Sequence, residues 1–199
     1  IQKGTICKIE PAGSSASWDI AGDIETMDCS GKVAIPGFVN MHTHSPMSLM
    51  RGIGEDVVFK DWITRIWKIE ENVDREFAYW ATKVSCIEMI RTGTTTFNDQ
   101  YWHFDSSVRA AREMGVRIAT GYDAMDKGDA EERSRQEAQC IEKSEQFLGH
   151  TDPGHIYEVA FHAIYSVSEE LILWISEFAR KHDLNIHIHL CETRKEVED

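Results

Sequence analysis

From residue 36 onward, the hydrophobic positions alternate between a two-residue period and a three-to-four-residue period. Short apolar or β-branched runs bounded by turn residues predict strands, and the longer segments between them predict helices. The predicted strands are GFVNMHTH (37–44), TTTFND (94–99), VRIATGY (116–122), YEVAFHA (157–163) and NIHIHL (185–190). Strands that alternate with helices in this way predict a parallel α/β fold.

The predicted helices are 74–91, 105–115, 129–148 and a last segment that runs through His182. Ser166 followed by Glu169 has the spacing of a capping box, which predicts that the last helix begins there. A complete (β/α)8 TIM barrel needs roughly 250 residues, whereas this chain has 199. We therefore expect a truncated barrel of about five βα units.

The first 33 residues show a different pattern, with short β-like pieces broken by turns. GTICKIE (4–10) alternates between polar and apolar positions, PAGSSAS (11–17) has the composition of a loop, and a Ser-Gly turn precedes Val33. The pattern predicts a small β-rich unit that precedes the α/β region.

Composition excludes several classes of partner. The chain has 34 acidic against 21 basic residues, and a net charge of −13 disfavours nucleic acid, whose phosphates require clustered Lys and Arg. No apolar run is long enough for a membrane span, and the first residues do not resemble a signal peptide. The five cysteines form no C-x-x-C pair, which argues against zinc knuckles and disulfide frameworks and favours a reducing cytoplasm.

His42 and His44 stand at the end of the first predicted strand. Residues two apart in a strand share a face, so both imidazoles point to the same side. In a parallel barrel, side chains at the carboxyl ends of the strands form the active-site face, where neutral imidazoles suit Zn²⁺ or Fe²⁺. An ordinary H-x-H in a turn is the alternative, because that pair also occurs by chance.

A second set of histidines lies on the fifth predicted strand. His187 and His189 share one face, and Glu192 follows three residues after His189. His189 is positioned to be a third metal ligand, and Glu192 to move protons between an activated water and a substrate atom. His187 lies deeper in the strand, so we expect it to be packed or to support a ligand.

Four ordered motifs resemble the amidohydrolase superfamily: PGFVNMHTHSPMSLMRG (36–52), WKIE (67–70), HAIYSVSEEL (162–171) and IHIHLCETRKEVED (186–199). They are most similar to its branch of S-adenosylhomocysteine, 5′-methylthioadenosine and 5′-deoxyadenosine deaminases. IETMDCSGKVAIPGFVN (24–40) resembles the family's passage from a small β-sandwich into the first barrel strand. The resemblance implies that residues 1–35 are part of an N-terminal β-sandwich and residues 36–199 the N-terminal part of the TIM barrel.

The resemblance also implies roles for individual residues. His42, His44 and His189 match the metal ligands for one Zn²⁺ per chain, with Fe²⁺ as the alternative. Glu192 matches the catalytic glutamate that contacts the substrate and protonates the purine ring. The matches to substrate-binding positions are Glu70, for the ribose hydroxyls, and His162. Without the resemblance, Glu70 is equally typical of a solvated helix face, and His162 of a core or loop histidine. Trp62 and Trp67 either wall the substrate pocket or pack a lid helix.

Two departures from the family pattern matter. Tyr122 stands about where the homocysteine-type enzymes have an arginine for the substrate carboxylate, so we expect an uncharged 5′ group. The family's ligands from barrel strands six and eight have no counterpart in these 199 residues. We therefore expect an N-terminal fragment that is inactive alone.

The expected reaction is hydrolytic deamination of an adenosine derivative, a small purine nucleoside, to its inosine analogue and ammonia. Guanine deaminase or chlorotriazine hydrolase activity is the alternative within the family. A non-catalytic remnant that acts in assembly is the alternative outside it. Because an open sheet exposes strand edges, we also expect a homo-oligomer. From the composition we expect a cytoplasmic protein with no nucleic-acid or membrane partner.

Overall fold

The computed structural model describes residues 1, 4–11 and 25–198. Contacts between residues divide the chain into two compact units, Ile1–Ile35 and Pro36–Asp199. Among the described residues, no helix is both long enough and apolar enough to cross a membrane.

The larger unit is built on a five-stranded parallel sheet in the order β1-β2-β3-β4-β5. The strands are β1 Phe38–Thr43, β2 Thr94–Asp99, β3 Arg117–Ala124, β4 His155–Ala163 and β5 Ile186–His189. Each new strand is added beside the previous one, and the order never reverses. A doubly wound sheet reverses its order and carries helices on both faces, whereas this order keeps the helices on one face, as in a barrel. The fold is part of a TIM barrel, as the sequence predicted.

The helices are α1 Phe59–Glu70, α2 Arg75–Thr92, α3 Phe104–Met114, α4 Ala130–Ser144, α5 Glu169–His182 and α6 Arg194–Glu198, with a 3₁₀ helix at Ser45–Met50. Helix α2 begins where the Asp74 side chain accepts a hydrogen bond from the Phe77 amide, and it ends at Gly93 with a φ of 87°. Only glycine adopts that left-handed conformation without strain.

Two predicted helix boundaries were wrong. Helix α5 is capped by Ser168, whose hydroxyl accepts a hydrogen bond from the Leu171 amide at 3.3 Å, and not by Ser166. The Ser166 hydroxyl is engaged elsewhere, because it contacts Nδ1 of His162 at 2.7 Å. The helix predicted over 129–148 ends at Ser144, where the amides of the next turn fold back onto the Ser144 carbonyl.

The sheet separates an apolar outer face from a polar inner face. Phe97, Ile118 and Val159 are fully buried on the outer face, where they belong to the same hydrophobic core cluster as Leu171 and Ile175 of α5. On the inner face, the alternate strand positions are polar: Asn98, Asp123, Glu158, His162, His187 and His189. The two-residue period of a strand therefore places the core on one side and the candidate chemistry on the other.

In the N-terminal unit, the predicted Ser-Gly turn is present. The Lys32 amide donates to the Cys29 carbonyl at 2.9 Å, and Gly31 has a φ of 73°. The strand predicted over 4–10 was wrong for residues 6–10, which belong to no regular element. Alternation alone does not form a strand, because a strand needs a partner for its ladder. Residues 12–17 of the predicted loop lie outside the described residues, and the β-sandwich stays a prediction.

Candidate metal centre and cavity

The histidines of β1 and β5 meet at the inner face of the sheet. In a flat sheet, the first and fifth strands would lie about 19 Å apart. Instead, Nδ1 of His42 lies 2.7 Å from Nε2 of His187, and Nε2 of His44 lies 2.9 Å from Nε2 of His189. The sheet is therefore curled like part of a barrel wall, and the curl brings together residues separated by 145 positions in the sequence.

Backbone carbonyls fix the orientation of two of these rings. Nδ1 of His44 lies 2.7 Å from the Gln100 carbonyl oxygen, and Nδ1 of His189 lies 2.8 Å from that of His162. A carbonyl can only accept, so each Nδ1 carries a proton, and in the neutral ring Nε2 is left with a lone pair. Two lone pairs that face each other at 2.9 Å repel unless a cation lies between them.

Two of the rings, those of His42 and His44, are held in their neutral form. Burial, together with the charges of neighbouring histidines, lowers the pKa of His44 to about 3 and that of His42 to about 4. These rings are therefore neutral imidazoles, the form in which histidine binds metals.

The ligand atoms of His42, His44 and His189 all lie within 4.8 Å of one another. Zn–N bonds of about 2.0–2.1 Å at a tetrahedral ion place two nitrogens about 3.3 Å apart, so small ring movements are enough. The three residues that the sequence predicted as ligands are brought together, and their donor set fits a divalent metal such as Zn²⁺.

His187 lies below this cluster and is only 9% exposed. It is packed between His42 and the carboxylate of Glu158 on β4, whose Oε1 is 3.3 Å from Nδ1 of His187. Its ring thus contacts a candidate ligand from the side away from the cavity.

A small cavity of about 60 Å³ adjoins the cluster, and it is lined by His44, Trp67, Glu70, His162, His189 and Glu192, among others. The sequence-predicted substrate residues therefore share one cavity. Glu70 is 8% exposed, which excludes the alternative of a solvated helix face. Burial raises its pKa to about 7, and the nearby Tyr101 hydroxyl opposes the rise.

His162 and Glu192 border the cavity from β4 and from the turn after β5. The His162 ring lies 4.9 Å from the His189 ring and 5.8 Å from the Trp67 ring, and burial lowers its pKa to about 4. Glu192 is exposed, and its Oε2 accepts a hydrogen bond from the Tyr165 hydroxyl at 2.9 Å. The carboxylate is therefore anchored at one oxygen while the other stays available.

Tyr122 does not face the cavity, which corrects the expectation drawn from its position in the sequence. Its hydroxyl donates to the side-chain oxygens of Gln136 at 2.7 Å and Gln139 at 2.9 Å, both on α4. Neighbouring residues of a strand point to opposite faces, so it is Asp123 that lines the cavity.

Sequence reasoning missed two buried polar residues beside the cluster. Gln100 is 2% exposed and Asp123 is 8% exposed, and Nε2 of Gln100 lies 3.3 Å from Oδ1 of Asp123. Gln100 carried a signal in the sequence, because it shares the strand parity of Asn98 on the inner face, whereas the face of Asp123 depends on the register of β3. Helix α1 was predicted only as one alternative, a lid helix around Trp62 and Trp67; both tryptophans lie in α1, and both line the cavity.

Comparison with known proteins gives a consistent result. The model of the amidohydrolase family matches residues 33–199. The chain is 42% identical to a 5′-deoxyadenosine deaminase of Methanoregula boonei over 87% of its own length and 39% of the relative's. It is 38% identical to a 5-methylthioadenosine/S-adenosylhomocysteine deaminase of Pyrococcus abyssi, over 87% and 41%. It thus spans about two fifths of these relatives.

Among solved structures, the fold is similar to a zinc-bound adenosine deaminase from Xanthomonas campestris. The TM-score is 0.71 at 30% identity, and the alignment covers 82% of this chain and 38% of that one.

Proposed function

Because this chain belongs to the amidohydrolase family, we propose that it carries the metal-binding part of a hydrolytic deaminase active site. The substrate is an adenosine derivative, and the products are the inosine analogue and ammonia. The observation that carries the proposal is the convergence of His42, His44 and His189, with the Nε2 atoms of His44 and His189 2.9 Å apart, beside a cavity lined by two glutamates. Relatives named as deaminases of 5′-deoxyadenosine and 5-methylthioadenosine support the substrate class.

His42, His44 and His189 would hold one divalent metal ion per chain, Zn²⁺ or alternatively Fe²⁺. When bound, such an ion lowers the pKa of a water molecule to roughly 7 and so supplies a strong nucleophile at neutral pH. In each of the three rings Nδ1 faces a hydrogen-bond partner, so Nε2 would be the atom that binds the metal.

The remaining residues act on the substrate. Glu192 is the catalytic acid–base group, which delivers a proton to the purine ring nitrogen, and the Tyr165 hydroxyl holds its carboxylate in place. Glu70 accepts hydrogen bonds from the ribose hydroxyls in a buried position where few other partners compete. His162 is neutral and contacts the base from beside the metal cluster.

The cavity favours an uncharged 5′ substituent. None of the described residues that line it is Arg or Lys, and Asp123 adds an acidic side chain. A substrate carboxylate would find no bidentate cationic partner there. We therefore propose 5′-deoxyadenosine or 5′-methylthioadenosine ahead of S-adenosylhomocysteine.

Two measurements test this proposal. We expect competition with a chelating dye to show one Zn²⁺ bound per chain, and His44→Ala to abolish binding. His150→Ala, at an exposed histidine far along the sequence, is the matched control and should bind normally. A chain that binds no zinc and only self-associates would favour the non-catalytic assembly role.

Activity is then assayed on the chain and, where it is part of a longer protein, on that protein. The panel contains the three adenosine derivatives, guanine and a chlorotriazine. Preference for guanine or the chlorotriazine would overturn the proposed substrate class in favour of the alternative.

We also propose that the chain forms a homo-oligomer in the cytoplasm. Phe38, Val39 and Met41 of the edge strand β1 are 58%, 55% and 68% exposed, and unpaired apolar edges favour association. Light scattering coupled to size exclusion tests this, and a monomer at high protein concentration would contradict it.

A further inference from the structure

Glu158 and His187 form a buried pair beside the candidate metal ligands, and the second ring nitrogen of His187 contacts His42. Building on the proposed metal site, we propose that Glu158 and His187 are positioning residues that hold the His42 proton on Nδ1. The Nε2 atom of His42 is then the metal ligand. No role has been assigned above to Glu158, and it contacts neither the cavity nor a candidate ligand directly.

Two short contacts link His42 to His187 and His187 to Glu158. Nδ1 of His42 lies 2.7 Å from Nε2 of His187, and Nδ1 of His187 lies 3.3 Å from Oε1 of Glu158. The side chains of His187 and Glu158 are only 10% and 3% exposed. Among the described residues, neither Nδ1 of His187 nor Oε1 of Glu158 makes a hydrogen bond of good geometry, with the other atom or elsewhere. The 3.3 Å contact between them is therefore electrostatic, and no other hydrogen-bond partner competes for either atom.

The carboxylate decides which tautomers are allowed. If His187 carries its proton on Nδ1, that proton lies beside the Glu158 carboxylate, and Nε2 of His187 accepts from Nδ1–H of His42. In the opposite arrangement, a lone pair of His187 would face the buried carboxylate and Nε2 of His42 would be protonated. In that second arrangement the His187 lone pair and the Glu158 carboxylate repel each other, and Nε2 of His42 has no lone pair for a metal. Glu158 therefore favours the arrangement in which His187 carries its proton on Nδ1.

With this arrangement, each of the three candidate ligands has a hydrogen-bond acceptor at its Nδ1 atom. His44 and His189 have Nδ1 fixed by the carbonyls of Gln100 and His162. His42 has no such carbonyl, and the His187 ring takes its place. Since that acceptor is a side chain, it can be removed by substitution, which makes the proposal testable.

The experiment measures Zn²⁺ affinity by chelator competition and the His42 tautomer by imidazole ¹⁵N NMR of the metal-free chain. His187→Leu and Glu158→Gln should each weaken Zn²⁺ binding by about tenfold or more, as removal of such supporting partners does elsewhere. His187→Gln places an amide oxygen near the lost Nε2 and should restore affinity to within a few-fold. His155→Gln is the matched control, because His155 is a buried histidine (6% exposed) on β4 whose Nε2 contacts the Thr120 carbonyl.

NMR should show His42 protonated on Nδ1 in the unsubstituted chain and a mixture of tautomers in Glu158→Gln. The proposal is overturned if His42 is protonated on Nε2, if His187→Leu binds zinc normally, or if His155→Gln weakens binding equally. The tautomer is read without metal and without any variant, so it tests the proposal even if a variant fails to fold. A chain with the expected tautomer but no zinc binding would instead refute the proposed metal site.

Discussion

Replacement of Glu70 by Gln should stabilise the chain, and only at neutral to alkaline pH. Burial raises the pKa of Glu70 from 4.5 to about 7, so the folded state binds this proton more tightly than the unfolded state does. The stability that the group contributes is complete below the unfolded pKa of 4.5 and is lost as the pH rises through the folded pKa of about 7. A neutral amide has no such loss.

The magnitude follows from the shift. A difference of 2.5 pKa units, between 4.5 and about 7, corresponds to about 3 kcal/mol at 1.36 kcal/mol per unit. Glu70→Gln should therefore raise the free energy of unfolding by about 2–3 kcal/mol at pH 8 and by less than about 1 kcal/mol at pH 5. Urea unfolding at both pH values, followed by circular dichroism, measures this difference.

The exposed neighbour Glu71 provides the matched control, because Glu71→Gln changes the same charge without burial. An equal effect of Glu70→Gln at both pH values, or none at pH 8, would refute the reasoning. A confirmed gain would show that the chain keeps a buried carboxylate at the expense of stability, as is common for residues retained for binding or catalysis.

Three further predictions concern catalysis, packing and metal. Glu192→Gln should leave Zn²⁺ affinity unchanged and lower deamination by a factor of about 10²–10⁴, and loss of zinc would show that Glu192 is a ligand instead. Leu171→Ala, at a side chain with 0% exposure, should lower the free energy of unfolding by about 2–5 kcal/mol; Leu173→Ala, at 58% exposure, should change it by less than about 0.5 kcal/mol. Saturating Zn²⁺ should raise the midpoint of thermal unfolding, and a chelator should reverse the rise. A midpoint that does not respond to Zn²⁺, or a His44→Ala variant that responds equally, would contradict binding at this cluster.

Most of the sheet and the outer helices could be predicted from the sequence. The two-residue alternation of the strands and the three-to-four-residue period of α2 are local properties, set by which face of each element is buried. The errors lie at boundaries. Ser166 and Ser168 have equally good side chains for an N-cap, and the structure uses Ser168 because the Ser166 hydroxyl contacts His162.

The sequence predicted which residues of one strand share a face, but not which residues of the neighbouring strands lie beside them. Parity already placed His42 with His44 and His187 with His189. By itself it could not show that Asp123, and not Tyr122, lines the cavity, because that depends on where β3 starts relative to β2 and β4. A shift of one residue in register exchanges the two faces.

The sequence alone determined the kinds of side chain at the site, their order along the chain and the alternation that separates an apolar face from a polar one. Only the tertiary structure decided how closely the histidine side chains of the first and fifth strands approach each other, because the curl of a sheet accumulates over all its strands and leaves no local signal. It also decided the proton positions of the histidines. Those depend on acceptors from other strands, the carbonyls of Gln100 and His162 and the ring of His187, which only the folded chain brings within hydrogen-bonding distance.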